Sequence, residues 1–295
     1  MADLHPHLEY KRPEKFDKVL YEKKGNIAYI TLNDPEHRNV TDWPGQGGIT
    51  DQFFFALDDA EYDDDIKVVV IRGAGRDFQA GHDLREVGFI YGMGTGKPGE
   101  RHASQRIRYS VDRGFFHDTQ MKIFLHPKIT ICQCHGNCLG SGVYYPLLSD
   151  LAVAATNARF ATVEQRLGFA GSGSQVALLM RTIGIKRALG MLLTGASISG
   201  EEAARIGLVT KAVPPEKLEE EVQKLAESMA LLPRDGIAIG KATNGIVYIS
   251  HAMFTNLRWE PDEYNFFKER RDRGTKAGFK GRDERYRGKV EKLDE

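Results

Sequence analysis

Much of what this chain lacks bears on its class. It has only three cysteines in 295 residues, too few for a disulfide framework at this length, which points to a reducing compartment. It has no net charge, with 41 Lys and Arg against 41 Asp and Glu, and therefore no overall basic footprint for nucleic acid or an anionic membrane. It has no long hydrophobic run. Phe53–Leu57, Leu151–Ala155 and Val176–Met180 are the longest, far short of the ~20 residues that cross a bilayer. The opening Met-Ala-Asp-Leu-His-Pro-His has no basic segment leading into an apolar stretch, so a secretory signal is not expected, and the expectation is a cytoplasmic protein that binds neither membrane nor nucleic acid. Hydrophobic residues make up 41%, enough for a packed core and too many for intrinsic disorder.

What is present reads as alternating strands and helices. Val19–Glu22 and Ile27–Leu32, with Gly25 between them, predict an antiparallel hairpin. Apolar positions Ile49, Phe53, Phe54, Ala56 and Leu57 recur at helical spacing before the acidic cluster Asp58–Asp65, with Thr50 as the candidate N-cap. Lys67–Ile71, Ile129–Cys134 and Leu151–Ala155 read as strands covered on both faces. Helix-compatible stretches separate them, which implies crossover units and a mainly parallel sheet. From Ser172 onward the chain reads as mostly helical, over Ser174–Arg181, Ile185–Leu193, Ser199–Ile206 with Ser199 as N-cap, Pro215–Leu232 and Gly236–Ile249.

Two glycine-flanked segments fall at strand ends, Phe78-Gln79-Ala80-Gly81-His82-Asp83-Leu84 and His135-Gly136-Asn137-Cys138-Leu139-Gly140-Ser141-Gly142. Ligands of open parallel sheets bind beyond the carboxyl ends of the strands. Small residues there let backbone N–H groups approach a ligand oxygen. These segments belong to a longer ordered series that opens with Asn33-Asp34-Pro35 and Arg38-Asn39. The series continues through Ser149-Asp150, Arg159-Phe160-Ala161, Glu164 and Leu167-Gly168 to Leu193-Thr194-Gly195, Ala203 and Gly207-Leu208-Val209. In order and spacing the series resembles the crotonase superfamily, also called the enoyl-CoA hydratase/isomerase family, from about Val19 to about Arg287.

The resemblance implies an α/β chain, a crotonase-like ββα spiral core over residues 18–210 with a C-terminal helical region over 211–295, after an N-terminal extension of residues 1–17. It implies subunits assembled as a homotrimer or a dimer of trimers. The implied substrate is an acyl-CoA thioester, with CoA part of the substrate and no separate cofactor. The family's shared chemistry is stabilisation of a thioester enolate by two backbone N–H groups, which the match places at His82 and Ser141. Losing one such donor typically costs ~10²–10³ in rate. Ala80, Gly81, Asp83, Arg85, Gly140 and Gly142 are placed beside the substrate, Arg85 where a family lysine approaches CoA. Asp83 also reads as a cap for the helix that follows. Lys and Arg residues between Lys268 and Arg287 are candidates to reach a neighbour's CoA.

The acid/base positions depart from the pattern. Hydratases of the family use two glutamates; here the later one matches Glu164, and the earlier one is Tyr144. A phenol with pKa near 10 is a poor base at neutral pH, although it can donate or accept a hydrogen bond. The usual two-carboxylate clamp on water is therefore missing. One carboxylate can still take an α- or γ-proton and return it at another carbon. The resemblance thus leaves three enzymatic readings: hydration with Tyr144 or another group ordering water, double-bond isomerisation, and hydrolysis of a cyclic or β-keto acyl-CoA. A catalytically silent acyl-CoA-binding protein is the reading from outside enzymology. Tyr144 is read equally as pocket wall and as proton donor.

Other features take plainer readings. Ser141 lacks the Gly-x-Ser-x-Gly elbow, because Leu139 and Val143 stand where its glycines would be. Strand alternation puts Cys132 and Cys134 on one face and turns His135 away, so the three cysteines read as buried apolar residues and no metal is expected. Gly92, Gly94 and Gly96 lie in the irregular stretch Gly88–Gly114, which reads as a mobile loop over a pocket because no Gly-Lys-Ser/Thr follows. Tyr264–Arg287 interleaves both charge signs and reads as a solvated or subunit-covering helix.

Overall fold

The computed structural model describes residues 16–44, 47–84, 120–164 and 174–243. The expected hairpin forms from β1 (Val19–Lys24) and β2 (Ile27–Leu32), paired antiparallel with Gly25 at φ +58° in the turn. β2 then pairs in parallel with β3 (Val68–Gly73), β3 with β4 (Ile129–Cys134), β4 with β6 (Leu151–Ala155) and β6 with β9 (Lys211–Val213). This six-stranded sheet has the order β1-β2-β3-β4-β6-β9. Val68, Val69, Val70 and Ile71 are fully buried, as expected of a strand covered on both faces. β9 lies just past residue 210, where the spiral core was expected to end, and adds itself to the sheet beside β6.

A second, three-stranded sheet joins β5 (Asn137–Leu139), β7 (Arg159–Ala161) and β8 (Ile198–Ser199). Sequence periodicity does not announce it, because strands of two or three residues are too short to show alternation. It matters for the site: β5 continues the chain after β4, and β7 leads directly to Glu164.

Helices cover the sheets. α1 (Ile49–Tyr62) buries Ile49, Phe53, Phe54, Ala56, Leu57 and Ala60, so its apolar stripe faces the core. Its cap differs from expectation. Thr50 lies inside the helix, and its backbone N–H and hydroxyl donate to Oδ1 and the carbonyl of Asp42, at 2.9 and 2.7 Å. The helix's free N–H groups are thus met by a carboxylate eight residues upstream, which a local capping rule does not find. α2 (Gln120–Phe124) and α3 (Tyr144–Leu148) are short helices absent from the sequence reading. α4 (Ser174–Ile183) and α5 (Ile185–Thr194) extend a residue or two past their predicted ends. α6 (Gly200–Ile206) carries Ser199 as its N-cap, whose hydroxyl accepts the N–H of Glu202 at 3.1 Å. The predicted helix over 215–232 is a 3₁₀ turn, Pro215–Lys217, leading into α7 (Leu218–Ala230), which buries Leu218, Val222 and Ala226 at four-residue spacing. A further helical stretch, 234–243, matches the start of the helix expected over 236–249.

Phe53, Phe78 and Phe160 are the largest fully buried side chains, each contributing roughly 1.5–3 kcal/mol of transfer free energy. Phe78 is the first residue of the first candidate site segment, and Phe160 stands four residues before Glu164. The loop over 88–114, Arg85 and the charged stretch over 264–287 lie outside the described residues.

Candidate active site

Parallel backbone pairing assembles the site. After β3 and β4, which are neighbours, the chain segments around Gln79 and Cys138 continue side by side as a parallel bridge. The N–H of Gln79 donates to the carbonyl of Asn137, and that of Leu139 to the carbonyl of Gln79, both at 3.0 Å. Three residues on from each bridge partner stand His82 and Ser141, the two candidate N–H donors, each directly after a glycine of positive φ, Gly81 and Gly140. The point a Cβ would take at Gly140 is 3.7 Å from Gly81 Cα and 3.5 Å from Glu164 Oε1. Gly81, Gly140 and Glu164 therefore converge on one place. Gly81 holds φ +106°, a backbone state that a residue with a Cβ reaches only at a cost.

A third segment braces the first. Thr41 pairs with His82: its N–H donates to the carbonyl of Gly81 at 3.0 Å, and its carbonyl accepts the N–H of Asp83 at 2.9 Å. Behind this turn Asn39, fully buried with φ +55°, donates from Nδ2 to the carbonyls of Ala74, Asp77 and Phe78 at 2.9 to 3.1 Å. The Ala80 N–H donates to the carbonyl of Arg38. Asn39 thus ties down the loop that delivers the first donor.

Tyr144 and Glu164, matched separately from sequence, meet. The Tyr144 hydroxyl donates to Glu164 Oε1 at 2.6 Å, in the range of a strong charge-assisted bond. Glu164 Oε2 is also buried and has no hydrogen-bond partner among the described residues. Burial raises the Glu164 carboxyl above its ordinary value, and the bond from Tyr144 opposes that rise. Burial, and then the nearby carboxylate, push the Tyr144 phenol well up, so Tyr144 keeps its proton and acts as donor. A carboxylate held by Tyr144 at the oxygen that faces Gly140, with its other oxygen unpartnered among the described residues, is an arrangement that can move a proton on a substrate.

The imidazole of His82 is buried, which brings its pKa down to about 3, so it is neutral throughout the physiological range. Its Nδ1 lies 2.9 Å from Thr41 Oγ1, and its ring lies nearly parallel to that of Trp43, at 10° with centroids 6.1 Å apart. The Ser141 hydroxyl is bonded to the Gln79 carboxamide, at 2.9 Å from its nitrogen. Gly140 and Gly142 are buried, and Ala80 and Asp83 partly so. Leu84, directly after Asp83, is helical, where Asp83 was expected to cap a helix; Arg85 and the residues that follow lie outside the described residues. Cys132 Sγ and Cys134 Sγ are 3.5 Å apart and buried, on one face of β4 as alternation requires. No group of three His, Cys, Asp or Glu able to hold a metal occurs among the described residues, and none of their helices is long and apolar enough to cross a membrane.

Thr41, Trp43 and the side chain of Gln79 had no role in the sequence reading. They join the site through contacts 38 to 100 positions apart, for which no local pattern exists.

The strand order, the small second sheet and the convergence of two backbone segments on one acid define a crotonase-fold protein. Solved structures agree. An enoyl-CoA hydratase from Mycobacterium tuberculosis H37Rv superimposes with a TM-score of 0.69 at 27% identity, covering 86% of this chain and 100% of that one. A probable enoyl-CoA hydratase from Mycobacterium thermoresistibile has the same fold, with a TM-score of 0.72 at 24% identity over 84% and 95% of the two chains. A Thermus thermophilus protein provisionally named enoyl-CoA hydratase is 34% identical over 208 residues, 70% of this chain and 76% of its own. The rat mitochondrial enoyl-CoA hydratase domain-containing protein 3 is 33% identical over 75% of this chain and 68% of its own. The enoyl-CoA hydratase/isomerase family model matches residues 22–245. The chain belongs to the enoyl-CoA hydratase/isomerase family and is an enzyme of that family.

Proposed function

We propose that the protein acts on acyl-CoA thioesters by enolisation and shifts the double bond of an enoyl-CoA, with Glu164 as the single acid/base. In this reading the N–H groups of His82 and Ser141 hold the thioester oxygen. Oε2 of Glu164 takes a proton from Cα of a 3-enoyl thioester, and the electron pair moves through the carbonyl onto its oxygen. Glu164 returns the proton to Cγ as the pair comes back, leaving the double bond between Cα and Cβ. No water is added or lost, and the carboxylate ends as it began. The two N–H donors favour the dienolate because its oxygen carries more charge than the ground-state carbonyl.

The observation that carries this reading is the 2.6 Å bond from Tyr144 to Glu164. A protonated phenol stands where hydratases of the family have a second carboxylate, and it occupies the oxygen of Glu164 that would share a clamp on water. Burial raises the Glu164 carboxyl above its ordinary value, which makes the carboxylate a stronger base toward a carbon-bound proton. CoA is part of the substrate and no separate cofactor is required. Cations for its phosphates are assigned to Arg85 and the basic residues between Lys268 and Arg287, and the assembly to a trimer or paired trimers.

Incubation with linear and cyclic 2- and 3-enoyl-CoAs, read by product mass and by the ultraviolet absorbance of the conjugated thioester, tests the reaction. Unchanged mass with gain of conjugation is expected; a gain of one water overturns isomerisation in favour of hydration or hydrolytic opening. Glu164→Gln should lower turnover by about 10²–10⁴, the span typical of a lost general base, with CoA-ester binding intact. Near-normal turnover would remove Glu164 from the mechanism.

A further inference from the structure

The side chain of Gln79 links both backbone segments that carry the N–H donors. It is fully buried. Its Nε2 lies 3.0 Å from the carbonyl of Gly81 and 2.9 Å from Ser141 Oγ, and its Oε1 accepts the N–H of Gly81 at 2.9 Å. Thr41 Oγ1 lies 3.3 Å from the same Nε2 and 3.4 Å from Ser141 Oγ. The second segment is also packed onto Gln79: a Cβ at Gly142 would fall 2.3 Å from the Gln79 carbonyl oxygen and 2.7 Å from Oε1.

These bonds fix a direction. A peptide unit is planar and trans, so its C=O and the following N–H point opposite ways. The carbonyl of Gly81 is held by Gln79 Nε2 on one side and by the N–H of Thr41, at 3.0 Å, on the other. Holding that oxygen holds the N–H of His82 in the opposite direction. The Ser141 hydroxyl, on the same carboxamide, ties the second donor's residue to the first. Preorganised donors are effective because they need not reorient as charge develops, and one buried carboxamide spans both.

We infer that Gln79 is the positioning residue of the oxyanion-binding N–H pair, setting the direction of the His82 N–H and its registration with Ser141. The inference rests on the reading of those two N–H groups as donors to a thioester oxygen, but the clasp itself can be observed without substrate.

Gln79→Met keeps an unbranched chain of similar size and removes every carboxamide bond. Hydrogen exchange followed by mass spectrometry should show amides of both the 79–83 and the 138–142 segments exchanging about tenfold faster, the factor for one lost neutral hydrogen bond. Ser141→Ala should loosen only 138–142, and adding Gln79→Met to it should produce less further loosening there than Gln79→Met alone. Infrared spectra of carbonyl-¹³C-labelled but-2-enoyl-CoA should show a carbonyl stretch lowered on binding to the wild type, with that lowering at least halved in Gln79→Met while cooperative melting persists. Unchanged exchange in both segments, or a change confined to 79–83, overturns the clasp. Loosening of both segments with an unshifted carbonyl stretch in the wild-type complex upholds the clasp and instead overturns the thioester reading. A lowered stretch equal in wild type and variant overturns the positioning role.

Discussion

Replacing Tyr144 with phenylalanine isolates what the phenol does for Glu164. The ring stays in its buried place, and the only bond lost is the 2.6 Å donation to Oε1. That bond favours the ionised carboxylate and partly offsets the rise caused by burial. A hydrogen bond to a charged group contributes roughly 1.5–3 kcal/mol, and a tenfold change in an equilibrium corresponds to about 1.4 kcal/mol. On the acid side of the pH profile, the rate follows the fraction of Glu164 that is ionised. There kcat/KM should fall about 10- to 150-fold, with the two enzymes converging once Glu164 is ionised in both. The acid limb of the variant therefore moves to higher pH, measured as kcat/KM for a 3-enoyl-CoA across the range in which both proteins stay folded. An unmoved limb, or one moved to lower pH, refutes the assignment of Tyr144 as donor to the base. Equal loss at every pH would instead make Tyr144 a proton donor to the substrate.

Three further outcomes follow from the same contacts. Asn39→Ala leaves two buried carbonyls and one half-buried carbonyl without their donor and an alanine at φ +55°; a loss of about 2–4 kcal/mol is expected from unmet carbonyls and strained backbone, read from urea unfolding. Ser199→Ala should cost about 1 kcal/mol and Ser199→Gly only a few tenths, so an alanine variant as stable as the glycine variant would contradict the cap at Glu202. The share of stability that depends on His82 and His126 should be complete above about pH 6.5 and decline as pH falls, because both stay neutral in the folded protein, at about 3 and about 4, while the unfolded chain takes up protons near 6.5. Each contributes a slope of about 1.4 kcal/mol per pH unit. His126, which bonds the carbonyl of Leu57 and has Lys241 and Asp150 nearby, should lose its share of that slope in His126→Gln, and an unaltered slope would refute its burial as the cause.

The long elements were legible from composition along the chain. The β-branched run Lys67–Ile71, closed by Gly73 and Gly75, read as a covered strand, and Ser199 followed by Glu201 and Glu202 announced its helix. The short second sheet was not legible, because β5, β7 and β8 have three residues or fewer and are held by pairing rather than by their own periodicity. The cap of α1 was misread for a related reason: Asp42 reaches Thr50 across a turn, and a local rule looks only at the next residue.

Sequence by itself determined the class of this protein and singled out its candidate acid/base and donor residues. The order of glycine-flanked segments, one glutamate at residue 164 and a tyrosine at residue 144 are facts of the linear chain, since catalytic residue types and turn glycines are written one position at a time. Only the tertiary structure decided how they combine. It put the Tyr144 hydroxyl on Glu164, brought Gly81 beside Gly140, and placed the Gln79 carboxamide between Gly81 and Ser141, 62 positions apart. Parallel pairing of distant strands creates these contacts, and a hydrogen bond depends on separations in space that no spacing along the chain encodes.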